Sequence, residues 1–140
     1  MRQRQAIRIL LASVAILLLT SQAVLAGSPH FVGGISVTRD GNSLTVSGKE
    51  AGLGNEDQVH IVVTATALCI NPGEHHPKAA NKASVSAEGD FPVQNGKANF
   101  TLTLTATFQP ECTLPMTVVF TDVTVTDTTS GISQSFPGTF

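Results

Sequence analysis

The segment NFTLTLTATF, residues 99–108, alternates without a break between polar and apolar residues, with threonine at four of the polar positions. Side chains two residues apart lie on the same face of a β-strand, so Phe100 and Leu104 are predicted to face a core while the threonines face solvent. The longer segment 58–69 also alternates, and its inward face ends at Cys69. Its other face carries further apolar residues, so we expect this strand to be central in its sheet.

Turn signals extend this pattern over the rest of the chain. Asp40-Gly41 and Asn95-Gly96 are typical of the tight turns in β-hairpins. Glu88-Gly89-Asp90 indicates a further turn, and a change of phase near Thr121-Asp122 indicates a β-bulge. The predicted strands cover residues 31–38, 43–49, 58–69, 82–87, 100–108, 114–125 and 132–136.

About seven short strands, with no helix predicted after residue 26, favour an all-β fold with a sandwich or barrel architecture. We expect an immunoglobulin-like antiparallel β-sandwich with one disulfide. The chain has neither Trp nor Tyr, so it lacks the buried Trp and the tyrosine corner of antibody domains. "Immunoglobulin-like" therefore refers here to architecture alone.

The first 26 residues have the three regions of a secretory signal peptide. Three arginines within the first eight residues precede an apolar run at residues 9–19. This run is shorter than the roughly 20 residues that a membrane-spanning helix needs, which disfavours the alternative of a retained anchor. Small residues at 24 and 26 then predict cleavage between Ala26 and Gly27. We expect residues 27–140 to form a single domain, secreted or periplasmic in a bacterium.

The charge of the predicted mature chain excludes some partners. Five basic residues remain against ten acidic ones, which gives residues 27–140 a net charge of −5. Nucleic acid is a poor partner for such a chain, since phosphate binding needs a basic patch. No second apolar run reaches the length of a membrane span, so we expect no membrane span after cleavage.

The two cysteines, Cys69 and Cys112, are predicted to pair. An exported chain meets an oxidising environment, where an even number of cysteines indicates a disulfide. The bond would close a loop of about 44 residues and contribute roughly 4 kcal/mol in the chain-entropy model. A pair of metal thiolates and a catalytic thiol are the alternatives.

The segment CINPGEHHPK, residues 69–78, offers candidate metal ligands. Glu74, His75 and His76 could coordinate Zn²⁺ or Cu²⁺, with His30 or His60 supplying a further ligand. Against this, adjacent histidines in an extended segment point in opposite directions. The alternative is a solvated loop whose prolines restrict the unfolded chain.

Catalytic motifs are missing from the sequence. The nucleophile elbow, the HExxH pair, the P-loop and the GxGxxG turn are all absent. We expect no enzyme and no cofactor.

Sugar binding is disfavoured because the chain lacks Trp and Tyr, the aromatic residues on which sugars usually stack, although Phe31, Phe136 and Phe140 lie near the termini. The threonine row at 101–107 would form a recognition face only if neighbouring strands carried matching rows, and Thr124 and Thr126 match it only in part.

Several turn and cysteine motifs occur together in a fixed order. They are AGLGN at 51–55, CINPG at 69–73, Pro77, Asn81-Lys82, NGK at 95–97, Cys112 and FTDV at 120–123. In this combination the chain resembles a set of small exported bacterial β-sandwich proteins of uncharacterised function. The resemblance covers most of residues 27–140 and implies a shared fold, without an activity, a ligand or a catalytic residue.

The sequence thus predicts an exported, non-enzymatic binding or structural protein whose partner is a protein or a small ligand. The loops at 70–81 and 109–115, joined by the disulfide, are the expected site. One alternative is metal binding by the His75-His76 loop. The other is a surface or filament subunit, since the chain is similar to chaperone–usher pilins in size, export and cysteine pair. Its tail departs from that family because Pro137 interrupts strand pairing. The oligomeric state stays open.

Overall fold

The computed structural model describes residues 27–72 and 81–140. These residues form seven strands. They are β1 (His30–Asp40), β2 (Ser43–Ala51), β3 (Gln58–Ile70), β4 (Lys82–Pro92), β5 (Ala98–Thr105), β6 (Thr117–Asp127) and β7 (Ile132–Phe136). One antiparallel sheet has the order β1-β2-β5, and the other has the order β4-β3-β6-β7. The predicted all-β sandwich of about seven strands is therefore confirmed, and β3 is central as expected.

The core lies between the two sheets and is formed by the inward positions of each strand. Its largest fully buried side chains are Phe120, Leu44, Ile61, Leu104, Val46, Val59, Val63, Val123 and Val125, together with two carboxyls, Glu50 and Asp127. The threonines of β5 are exposed while Phe100 and Leu104 are buried, as the alternation of residues 99–108 predicts.

Phe100 anchors one end of this core. Its ring meets the ring of Phe31 at 6.0 Å and that of Phe91 at 6.2 Å, both edge to face. Such pairs add about 0.5–1.5 kcal/mol beyond area burial. Phe31, Phe136 and Phe140, the aromatics near the termini, are partly buried against the core.

The turn expected at Glu88-Gly89-Asp90 is wrong, because these residues continue β4. Gly89 pairs with Ile61 of β3 and faces inward. A Cβ at this position would lie 3.4 Å from the Leu102 and Phe91 side chains. The glycine therefore lies against core side chains within β4 and does not change the direction of the chain.

Asn95 and Gly96 do form a tight turn, with φ values of 53° and 71°. Both values are positive, as a type I′ turn requires, and a bridge joins Gln94 to Lys97. However, the turn connects β4 of one sheet to β5 of the other. The predicted turn is confirmed, but the hairpin that it suggested within one sheet is not formed.

The bulge expected near Thr121-Asp122 is present. The register between β3 and β6 shifts between Thr64 and Thr66, and Asp122 has a φ of 54°. The extra residue restores Val123 and Val125 to the inward face.

The strand predicted to begin at Leu114 begins instead at Thr117. Residues 113–116 form a turn that is closed by a hydrogen bond from Met116 N to Thr113 O at 3.0 Å.

Candidate functional site

The disulfide predicted between Cys69 and Cys112 is present, with the two Cα atoms 5.8 Å apart. Cys69 is inward-facing near the end of β3 and is 3% exposed. Cys112 lies in the connection between β5 and β6, residues 106–116, hereafter the Cys112 loop. The bond thus fixes this loop to the central strand at one end of the sandwich, hereafter the disulfide end.

Two further contacts position the Cys112 loop. At its start, Ala106 N donates to Asn42 O at 2.9 Å, and Asn42 Nδ2 donates to Ala106 O at 3.2 Å. At its end, Met116 Sδ lies 3.7 Å from Cys69 Sγ, a van der Waals contact because a disulfide sulfur carries no proton. The loop is therefore held to the β1–β2 turn, to β3 and to the start of β6.

Leu114 is the one large apolar side chain that is exposed among the described residues, at 90%. It occupies a corner of the turn at residues 113–116, which directs it away from the core. A groove of about 340 Å³ lies beside the same loop. Its lining residues are Asn42, Ala106, Thr107, Phe108, Gln109, Glu111, Cys112 and Val118. This end therefore combines an exposed apolar tip with a groove that has apolar and hydrogen-bonding groups.

The predicted metal ligands Glu74, His75 and His76 lie outside the described residues, as does Ala26 of the predicted cleavage site. The further ligands suggested for them are placed away from the disulfide end. His60 is near the start of β3, whereas Ile70 ends that strand at the disulfide end. At about 3.3 Å per residue, the two are roughly 30 Å apart. His30 is the first residue of β1 and pairs with the last residue of β2. Neither His30 nor His60 therefore lies beside the residues that flank the 70–81 loop.

His60 instead forms a cluster with two carboxyls on the outer face of the four-stranded sheet. Its Nδ1 lies 2.7 Å from Asp90 Oδ1, and its Nε2 lies 3.5 Å from Glu88 Oε2. The bond to Asp90 is the main cause that raises the pKa of His60; desolvation opposes it, and the weaker contact with Glu88 acts in the same direction as Asp90. Its backbone N–H also donates to Thr129 Oγ1 at 2.9 Å.

Glu50 and Asp127 form a buried pair of carboxyls that the sequence analysis missed. Both are fully buried, Glu50 on β2 of one sheet and Asp127 on β6 of the other. Desolvation is the main cause that raises the pKa of Glu50 to about 8, and both a hydrogen bond with Asp127 and repulsion from its charge act in the same direction. The phase of each strand was the available signal, since Glu50 shares a face with Val46, and Asp127 with Val125.

Within residues 27–72 and 81–140, no three or more His, Cys, Asp or Glu side chains are placed to hold a metal ion. The same residues include no helix that is long and apolar enough to cross a membrane.

Comparisons of the chain with protein-family models, curated proteins and solved structures found no match. The site geometry is therefore the basis for a functional proposal.

Proposed function

We propose that this chain is an exported, non-enzymatic binding protein that engages a protein partner through the Cys112 loop. The observation that carries the proposal is Leu114, which is 90% exposed on a loop that a disulfide fixes to the central strand. Burying a leucine side chain is worth about 1.5–3 kcal/mol. That gain is available to a complex and is not used within the chain.

The anchoring of the loop favours binding. A loop fixed at its start by Asn42, at its middle by Cys69 and at its end by the 113–116 turn loses little conformational entropy when it is ordered by a partner. The groove beside the loop places apolar side chains, among them Phe108 and Val118, next to polar groups of Asn42, Gln109 and Glu111. Interfaces commonly combine apolar contacts with polar groups at their rim.

Export is supported by the disulfide and by the predicted signal peptide at residues 1–26. A disulfide persists in oxidising compartments and is rare in the cytosol. We assign the chain to the periplasm or the outside of a bacterium, among the small exported β-sandwich proteins that its turn and cysteine motifs resemble.

We further propose that the sandwich is immunoglobulin-like in architecture. Its support is a sheet of β1, β2 and β5 facing a sheet that contains β3, β6 and β7. These six strands follow the order of strands A, B, E and C, F, G in immunoglobulin domains. The fourth strand differs from the constant type, since β4 pairs with β3 rather than with β5. The disulfide also differs, because it joins the end of β3 to the β5–β6 connection.

Site-specific photo-crosslinking tests the binding site. A photoreactive phenylalanine analogue replaces Leu114 in the full chain, which is exported from the native host and irradiated in place. A matched chain carries the same analogue at Thr103, an exposed position in the middle of β5. We expect a discrete adduct with a protein from position 114 and none from position 103.

Competition makes the result specific. Excess wild-type protein should abolish the adduct, whereas a Leu114→Ser competitor should not, although its folded stability should match that of the wild type because position 114 is 90% exposed. An adduct that both competitors abolish equally, or the same adducts from positions 103 and 114, would contradict a partner site at Leu114.

A further inference from the structure

The second feature that the fold presents lies at the end of the sandwich opposite the disulfide. Glu50 is the last inward residue of β2, and Asp127 ends β6 on the facing sheet. Both side chains are fully buried. A lone buried charge is costly, and two buried like charges in contact are more so. The proposed function does not use this pair, since Asp127 ends β6 whereas the Cys112 loop precedes the start of that strand.

The partners of the two carboxyls differ. Asp127 accepts hydrogen bonds from Thr129 N at 2.8 Å and from Ser130 N at 3.2 Å, which stabilise the turn after β6. Neither oxygen of Glu50 has a hydrogen-bond donor. An ionised Glu50 would therefore be both buried and unpaired. A protonated Glu50 instead has one donor, its own O–H, and an acceptor in Asp127.

We propose that Glu50 and Asp127 share one proton between the two sheets, and that loss of this proton in mildly alkaline solution loosens this end of the sandwich. The proton lies on Glu50, whose O–H donates to the Asp127 carboxylate, because both oxygens of Asp127 already accept backbone N–H groups whereas neither oxygen of Glu50 has a donor. Removing the proton leaves two adjacent buried charges, and water must enter between β2 and β6 to solvate them.

Among the residues that the structure describes, no other ionisable side chain offsets this pair. The ionisable residues on the elements that meet this end are exposed or half-buried on outer faces and loops: His30, Lys49, Glu56, Asp57, His60, Glu88, Asp90 and Lys97. Within residues 27–72 and 81–140, Asp127 is the ionisable group that contributes to the shifted pKa of Glu50. β5 has no ionisable residue.

The network continues from the pair to the protein surface. Asp127 accepts from Thr129 N, and Thr129 Oγ1 in turn accepts from the backbone N–H of His60. The His60 carbonyl accepts from Thr128 N at 3.0 Å. Movement of the Asp127 turn is therefore transmitted to β3 at His60, whose ring carries the Asp90 and Glu88 contacts.

A proton, rather than a metal ion, fits the pair. Two carboxyls offer four oxygens, and both oxygens of Asp127 already accept backbone N–H groups. Calcium takes six to eight oxygen ligands in proteins. The pair therefore lacks the donor set that a divalent cation needs.

The experiment compares thermal unfolding of the wild type and a Glu50→Gln variant between pH 5 and pH 9. Glutamine keeps the shape and can donate to Asp127, but it does not titrate. The folded pKa of Glu50 is above the unfolded value of 4.5, so the folded state holds more protons and its stability falls as the pH rises. The measured quantity is the unfolding equilibrium constant of the wild type divided by that of the variant. This ratio should rise by up to about tenfold per pH unit from about pH 4.5 to about pH 8, and then level off.

Glu56→Gln is the matched control, since Glu56 is an exposed glutamate of the loop beside the same end. Its unfolding should follow the wild type at every pH. A constant offset between the wild type and Glu50→Gln at all pH values would overturn the proposal, since it would show a structural role without titration. Stabilisation of the wild type alone by Ca²⁺, Mg²⁺ or Zn²⁺ would overturn it in favour of a cation site.

A second measurement keeps the test valid if Glu50→Gln does not fold. The ¹³C resonance of the Glu50 side-chain carboxyl reports its protonation directly in the wild type. We expect it to show the protonated form at pH 6 and to change between pH 7 and pH 9. A carboxyl that is already ionised at pH 6 would overturn the proposal.

Discussion

His60 lies directly opposite Asp90 on neighbouring strands, with Nδ1 of the histidine 2.7 Å from Oδ1 of the aspartate. Glu88, two residues before Asp90, approaches the other ring nitrogen at 3.5 Å. A histidine ring and two carboxyls thus meet on an outer sheet face. Cross-strand pairs of this kind link β3 to β4 beyond their backbone ladder.

We predict that Asp90→Asn lowers the pKa of His60 more than Glu88→Gln does, because the Asp90 bond is the main cause that raises this pKa above its ordinary value of 6.5. NMR titration of the histidine ring protons, assigned with a His60→Asn variant, measures it. The cluster contributes its full stability at pH values below the pKa that His60 has in the unfolded chain. This contribution is lost as the pH rises through the pKa that His60 has in the folded chain. An unchanged His60 pKa in Asp90→Asn would contradict the assigned cause.

Gly48 and Gly89 provide a matched pair for testing the core. Both are inward-facing strand glycines without a positive φ, one in each sheet. A Cβ at Gly48 would lie 2.8 Å from Phe100 Cζ and 2.9 Å from Ile35 Cγ1. The Phe100 ring cannot move away easily, since Phe31 and Phe91 hold its edges.

We therefore predict that Gly48→Ala destabilises the fold by about 1–3 kcal/mol, the usual cost of overpacking. Gly89→Ala should be neutral or stabilising by up to about 1 kcal/mol, because its Cβ meets ordinary contacts at 3.4 Å and the unfolded chain loses freedom. Urea unfolding curves measure both. Equal effects of the two substitutions would show that the Phe100 cluster can adapt.

The disulfide gives a third prediction. It closes a loop over a sequence separation of 43 residues, so the double variant Cys69→Ala, Cys112→Ala should lose about 2–4 kcal/mol of unfolding free energy. Because Cys69 is also buried, part of this loss is packing. An unchanged melting temperature would refute the stabilising role of the bond. Comparison with the reduced wild type separates the cross-link from the packing loss.

The sequence predicted those features that depend on local alternation. The period-two phase of residues 58–69 placed Cys69 inside, and the change of phase near Asp122 located the bulge. It failed where a residue serves a distant neighbour. Gly89 suggested a turn, yet it continues β4 and faces Leu102 of the other sheet, which no local pattern reveals.

The candidate sites were predicted less completely. The joining of the Cys112 loop to β3 followed from the cysteines, but the exposure of Leu114 did not, since this residue was predicted to begin the strand at 114–125. Glu50 and Asp127 are 77 residues apart in sequence and meet only because β2 and β6 face each other across the core. The pairing of two acids on facing sheets is a property of the tertiary fold.

Native mass spectrometry of the untagged protein, recovered from the periplasm or medium of the native host without a chelator, tests the central claim most directly. The account predicts the mass of residues 27–140 less two hydrogens, with no stoichiometric metal. Retention of residues 1–26 or two free thiols would contradict an exported, disulfide-linked protein. One metal ion per chain, lost on changing His75 and His76, would replace the binding proposal with the metal-binding alternative.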